Sequence, residues 1–282
     1  MLPAIGVAIR RENRIVFDDE SLNALEITFE RADDPLRTYR YIGETRDFDY
    51  VSVHGLKLSV GSPDEPSKHY MDMMLDVAQE NGAVSLSDHL GFTRDSNQGT
   101  EMGHFALVPL TEPALDVVCR NVEIAMAHFA PLHFFIENIA YVCKFGGTLE
   151  EADFISRMLD RTGVGWLLDV TNVYANSTNY NYDPYEFIRR VAPHASRVQM
   201  HLAGGYFDKE VDMYLDSHSH PIPDPIWDLY KFAIEQNKGK VDCVFIERDQ
   251  NFPEEAEWRA ELKKMRQIAE QVEGVGSVEV SQ

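Results

Sequence analysis

Cysteine, positive charge and long apolar runs are all scarce in this chain. Its three cysteines, Cys119, Cys143 and Cys243, show no CxxC spacing and no even-numbered framework. That excludes a disulfide scaffold and a thiolate-based metal site. Cys119 and Cys243 lie inside apolar runs, where a thiol behaves as a small buried hydrophobe. Lys and Arg number 26 against 47 Asp and Glu, for a net charge of −21. A nucleic-acid binder needs a basic footprint for the phosphate backbone, and this composition denies it one. No run approaches the roughly 18 apolar residues of a membrane span. The start, MLPAIGVAIRREN, lacks the basic and apolar regions of a signal peptide. A soluble chain in a reducing cytoplasm is therefore expected. There is also no GxSxG, no P-loop and no GxGxxG after a strand.

What is present is an alternation. Short β-rich runs occur at 4–9, 24–29, 49–54, 83–88, 133–138, 165–170, 197–202 and 242–247. Several are almost continuously apolar, as in strands covered on both faces. Between them, 66–81, 111–129, 149–162, 184–191 and 225–236 place apolar residues at helical spacing, and 254–272 supplies a final helix. Strand and helix in this order predict an α/β fold, a (β/α)8 TIM barrel, in one domain over residues 1–282. The connections 91–110 and 203–223 are long, and long loops at the C-terminal face of a barrel usually carry substrate contacts.

The chemistry sits where the strands stop. His54, Asp88-His89, Glu137-Asn138, Asp169, His201 and Glu247 each close an apolar run. In a closed parallel barrel those ends converge on one face. A lone histidine at a strand end is more often a satisfied polar residue than a ligand. Two at equivalent positions of neighbouring strands can share an ion, each oriented through its second nitrogen. Glu137 in FFIEN and Asp169 in GWLLDVTN would be buried at real cost unless paired with an arginine or bound to metal. Asn172 can offer an amide oxygen to the same ion or cap the next turn. In DSHSHP, Asp216, His218 and His220 are spaced two apart, so on an extended segment all three would face one site. Asp249 follows Glu247 on the same side. So many nitrogen and oxygen donors exceed the needs of one zinc, and they suit two or more ions of iron, manganese or zinc. The acidic excess is then mostly solvated helix surface, as in Glu254-Glu255-Ala256-Glu257. The remaining carboxylates bind metal or meet a basic peptide or partner.

The phrases SVHGLKLSVG, SDHLGF, HFALVPLTEPAL, FFIENIAYV, LLDVTNVYAN, MHLAGG, DSHSHP and ERDQNFP, in this order, cover most of the chain from Ile5 to Pro253. The set resembles the multinuclear non-heme iron-dependent oxidases, whose members act in methanobactin and 3-thiaglutamate biosynthesis. The resemblance implies a TIM barrel with two or three irons of mixed valence at its C-terminal mouth and molecular oxygen as co-substrate. It implies His54, His89, Glu137, Asp169, Asn172, His201, Asp216, His218 and Glu247 as metal ligands, with Glu137 bridging and either His218 or His220 filling the last histidine position. Asp249 and Glu30 are implied as catalytic residues. The substrate would be a side chain, cysteine or aspartate, of a ribosomally synthesised precursor peptide delivered by a separate recognition protein. A mouth free of protein cysteine suits a thiolate substrate. One departure stands out, because many relatives carry Glu-Asn after the second strand and this chain has Glu30-Arg31. The rival reading is a non-redox divalent-metal barrel, such as a xylose-isomerase-like sugar isomerase. An endonuclease-IV-like enzyme lacks its basic face here, and a silent scaffold has no use for a near-complete ligand set.

Overall fold

The computed structural model describes residues 2–32, 43–96 and 99–274. Its centre is a closed barrel of parallel strands: β1 (Ala4–Ala8), β2 (Ala24–Thr28), β3 (Tyr50–His54), β4 (Ser85–His89), β5 (His133–Glu137), β6 (Gly165–Asp169), β7 (Val198–Leu202) and β8 (Val241–Ile246). Each strand pairs with the next in the chain, and β8 closes on β1. Helices return the chain outside the barrel, among them Lys68–Glu80, Glu112–Phe129, Glu151–Thr162, Asp224–Gln236 and Glu255–Glu273. The expected (β/α)8 architecture is thus the observed one. Among the described residues no helix is long and apolar enough to cross a membrane.

The period-2 alternation of each strand divides the interior in two. Ile5, Val7, Leu25, Ile27, Val51, Val53, Trp166 and Leu168 join one large apolar cluster with residues of the surrounding helices. The alternate positions point along the barrel axis. Low in the barrel, Ala24, Cys243 and Phe245 form a small cluster against Ala4 and Tyr50. Above it the lining turns polar: Gln199 Nε2 donates to Tyr50 Oη (2.8 Å) and Ser85 Oγ (2.9 Å), and Ser85 Oγ donates to Ser52 Oγ (3.0 Å).

Several local features differ from the sequence reading. The fourth strand runs Ser85–His89 rather than 83–88, which brings His89 into the barrel ladder opposite Glu137. The segment after Asp169 is a helix, Val170–Tyr180, capped by the Asp169 carboxylate on Asn172 N (2.6 Å). The long connections fold into two hairpins, Gly91–Phe92 with Ala106–Leu107 and Tyr206–Asp208 with Met213–Leu215. Over the mouth, the loop after β5 is pinned by Tyr141, whose phenol donates to the buried Glu151 Oε2 at 2.7 Å.

Two consequences are measurable. A Cβ added at Gly165 would lie 2.3 Å from the ring of Phe135, so Gly165→Ala overpacks the barrel interior. The expected cost is about 1–3 kcal/mol, read as a lower urea midpoint with an unchanged slope; an unchanged midpoint contradicts this packing. Burial pushes Glu151 up from 4.5 to about 7. The folded chain therefore holds this proton more tightly than the unfolded one. The associated stability is full below pH 4.5 and is lost as pH rises through about 7. Glu151→Gln should make the fall in stability from pH 5 to 8 shallower, and parallel profiles would contradict the assignment.

Candidate metal centre

The strand register carries one donor per strand to the C-terminal end: His54 from β3, His89 from β4, Glu137 from β5, Asp169 from β6 and His201 from β7. Glu247 follows β8 directly, with its N–H on Leu202 O. Asn172 enters from the first turn of the helix Val170–Tyr180, and Asp216 and His218 enter from the loop after β7. His54, His89, Glu137, Asn172, Asp216, His218 and Glu247 line a cavity of about 420 Å³, while Asp169 and His201 are fully buried and not part of its lining.

Its centre is one carboxylate oxygen. Glu137 Oε2 lies 3.4 Å from His54 Nε2, 3.4 Å from His89 Nε2 and 3.8 Å from His201 Nδ1. Two donors bound at about 2.0–2.2 Å to one ion stand roughly 3–3.5 Å apart, so the two shorter separations suit ligands of a shared cation. Donor atoms draw together in overlapping groups: His54–His89–Glu137, Glu137–Asp169–His201, Glu26–His201–Glu247 and Asp169–His218–Glu247. Glu137, Asp169, His201 and Glu247 each belong to two of them. Many donor atoms also lack any other partner. Glu137 Oε2, Asp169 Oδ2, Asn172 Oδ1, Asp216 Oδ1 and the Nδ1 atoms of His201 and His218 are buried without a hydrogen bond among the described residues. Orphans are rare in folded proteins, and this many around one cavity fit the coordination of metal.

Three of the histidines are held by their second nitrogen, and the fourth has a carboxylate beside it. His54 Nδ1 pairs with Ser87 Oγ (2.9 Å), His201 Nε2 with Glu26 Oε2 (3.0 Å) and His218 Nε2 with Asp216 Oδ2 (2.9 Å). His89 Nδ1 faces Asp88 Oδ1 at 3.8 Å. Hydrogen-bonded partners fix the tautomer and aim of a metal-binding imidazole, whereas His89 Nδ1 makes no hydrogen bond among the described residues. His89 also stacks on Phe105, with ring centroids 4.2 Å apart.

The protonation pattern follows from crowding. Burial pushes Glu137 up to about 7, and it raises Asp169 well above the carboxylate range with help from Asp216 and Glu137. Burial, then the neighbouring His89 and His201, hold His54 well below the usual imidazole value. At Glu247, burial is outweighed by His201 and His218, and the carboxylate stays ionised. Among the described residues, no Lys or Arg pairs with Glu137 or Asp169, so the arginine alternative does not apply. A divalent cation would let these carboxylates be anionic and the imidazoles neutral together.

The other sequence expectations divide. Asp249 borders the cavity but is gripped by Arg10 Nε (2.6 Å) and Arg31 NH2 (2.9 Å). Burial is outweighed by His218 and Arg10, which hold the carboxyl at about 2. Arg31, the departure from the Glu-Asn pair, is thus part of this clamp. Glu30 is not brought to the cavity; it faces Tyr70 Oη (2.7 Å) and Leu56 N (3.0 Å). The three groups of DSHSH do not share a face, because His218 has φ 50 and breaks the extended alternation. His218 turns to Asp216 and Glu247, while His220 accepts from or donates to Ser219 Oγ (2.8 Å) and packs on Tyr206. No cysteine lines the cavity, although Cys143 is exposed one residue beyond the lining Val142. Glu26 was missed by the sequence reading. It is fully buried in ALEIT, and an acid inside an apolar strand run was the available signal.

A relative from Rhizorhabdus wittichii, known as a UPF0276 protein, is 36% identical over 220 residues, covering 78% of this chain and 76% of its own length. A UPF0276 protein of Streptomyces avermitilis is 34% identical over 226 residues, covering 78% of this chain, and this match spans only 45% of that longer protein. In structure, the chain resembles a xylose isomerase-like TIM barrel protein from Mycobacterium smegmatis, solved in complex with magnesium. The TM-score is 0.56 at 12% identity, over 96% of this chain and 97% of the other, which shows the fold alone. The model of the RiPP precursor modification enzymes MbnB/TglH/ChrH, where RiPP denotes a ribosomally synthesised and post-translationally modified peptide, matches residues 4–270, and the chain belongs to that family.

Proposed function

We propose that the chain is an oxygen-dependent oxidase that uses two or three irons of mixed valence to modify one side chain of a ribosomally made precursor peptide. Cysteine is the first candidate for that side chain and aspartate the second. The observation that carries this reading is the sharing of donors: His54–His89–Glu137, Glu137–Asp169–His201 and Asp169–His218–Glu247 overlap through Glu137 and Asp169, an arrangement that suits a multinuclear centre. Family membership supports the peptide substrate.

In this reading His54, His89, Glu137, Asp169, Asn172, His201, Asp216, His218 and Glu247 hold the metal, with Glu137 shared. Bound iron supplies electron exchange with oxygen and a Lewis acid for the substrate side chain. The chain supplies the rest. Phe105, Leu56 and Leu215 give the cavity apolar wall, which limits water around the reacting group. At about 420 Å³ the cavity takes a side chain with a short stretch of backbone, so the peptide reaches it as an extended segment. Asp249, held near 2 beside His218, is anionic at neutral pH. It therefore orients hydrogen-bond donors of the substrate and does not store a proton. A separate recognition protein brings the peptide, and the reaction belongs in a reducing compartment.

A second reading is a non-redox divalent-metal enzyme, because nitrogen and oxygen donors of this kind also hold zinc or manganese, and metal content separates the two. Protein purified without oxygen should carry two or more irons per chain, with coupled ferric and ferrous Mössbauer signals. Zinc or manganese alone, persisting after iron supplementation, would move the assignment to the non-redox barrel. His89→Ala should lower iron content and abolish oxygen-dependent turnover while leaving the circular dichroism of the barrel intact. Wild-type iron and turnover in that variant would remove His89 from the ligand set.

A further inference from the structure

Just outside the metal-capable groups lies a half-buried polar knot that the mechanism above does not use. Its centre is the Tyr70 hydroxyl, on the helix Lys68–Glu80. That oxygen accepts from Leu56 N (3.1 Å) and Lys57 N (3.0 Å). It stands 2.7 Å from Glu30 Oε1 and 3.3 Å from Asp88 Oδ2. A phenol has one proton to give, so the two carboxylates share a single donor. Glu30 also accepts from Leu56 N at 3.0 and 3.2 Å. Asp88 Oδ2 accepts from Leu58 N (3.0 Å), and Asp88 Oδ1 accepts from His89 N (2.7 Å). The turn is sterically closed as well: a Cβ at Gly55 would lie 2.6 Å from both Asp88 Oδ2 and Tyr70 Oη.

The placement gives the knot a purpose. The backbone it grips, Leu56 to Leu58, begins two residues after His54. The carboxylate it grips, Asp88, accepts from the backbone N–H of His89 (2.7 Å) and lies 3.8 Å from the ring Nδ1, which makes no hydrogen bond among the described residues. These are the two histidines whose Nε2 atoms flank Glu137 Oε2 at equal distance. His201 and His218 are backed by other carboxylates, Glu26 and Asp216, and touch no member of the knot.

We infer that Tyr70, Glu30 and Asp88 form a positioning unit that sets the aim of His54 and His89 on the shared oxygen of Glu137, and so governs one metal position of the cluster selectively. The unit acts through the backbone after His54 on one side and through the Asp88 carboxylate on the other. It rests on the reading that the cavity holds metal, and it gives Glu30 a holding role in place of a catalytic one. Partners of this kind are commonly worth ten- to a hundred-fold in metal affinity.

The test is a stepwise anaerobic titration of the metal-free full chain with cobalt(II), using chelator competition to resolve each equivalent. Tyr70→Phe keeps the edge-to-face packing on Phe29, whose ring centroid is 5.1 Å away, and removes only the hydroxyl. Tyr70→Phe and Glu30→Ala should each weaken one cobalt equivalent ten- to a hundred-fold and leave the others within about twofold. Glu30→Gln, which still accepts from Leu56 and Tyr70, should retain wild-type binding. Should Tyr70→Phe fail to fold, the Ala and Gln pair at Glu30 decides alone. All equivalents unchanged, or all weakened together, would overturn selective positioning. A wild-type chain that binds no cobalt would overturn the metal reading itself.

Discussion

Three imidazoles aimed at one buried carboxylate oxygen is an arrangement that a protein cannot hold cheaply without a cation. Glu137 Oε2 has His54, His89 and His201 around it at 3.4–3.8 Å, each too far for a good hydrogen bond. No arginine or lysine neutralises that oxygen among the described residues, and burial alone drives the carboxyl toward its neutral form. Everything around it is consistent with a charge expected at that point. Glu26 and Asp216 hold the second nitrogens of His201 and His218, and Ser87 holds that of His54. Gln199, Ser85 and Ser52 add a polar stretch to the barrel interior, and Phe245 packs edge-on against His201 itself.

The barrel makes the crowding possible because its geometry is rigid and its strands are short. Five strands contribute a donor near their ends and Glu26 comes from mid-strand, while the first helical turn after β6 adds Asn172 and the loop after β7 adds Asp216 and His218, so positions as distant as Glu26 and Glu247 meet. Loops then serve as walls. Phe105 covers His89 from the hairpin after β4, and Tyr141 is tied down on Glu151 beside the mouth. The Arg10–Asp249–Arg31 clamp fixes the rim on the side of β1 and β2.

Much of the fold was legible in the sequence, because short and often continuously apolar runs alternate with segments of helical spacing, and several of the runs end in His, Asp or Glu. The strand ends His54, Glu137, Asp169 and His201 fell where the runs stopped. What was missed has physical causes. Glu26 sits mid-strand, and facing the axis rather than ending a strand, it offered no boundary to mark it. The helix Val170–Tyr180 carries Thr, Asn and Ser at most of its polar positions, residues that favour caps and turns over helix interiors, and only the Asp169 cap announces it. The alternation in DSHSH is real in sequence, yet a left-handed residue at His218 undoes it in three dimensions. Glu30 matched a family position by residue type, while its side chain is claimed by Tyr70 and the Leu56 amide, contacts that only tertiary structure brings together.

The most direct test of the central claim is a crystal structure of the iron-loaded, oxygen-free protein with anomalous data collected at the iron edge. Two or more iron peaks within the cavity, one of them between His54, His89 and Glu137 and another sharing Glu137 with Asp169 or His201, is the predicted result. A single peak that leaves Glu137 Oε2 uncoordinated, or iron bound outside the cavity, would contradict the account.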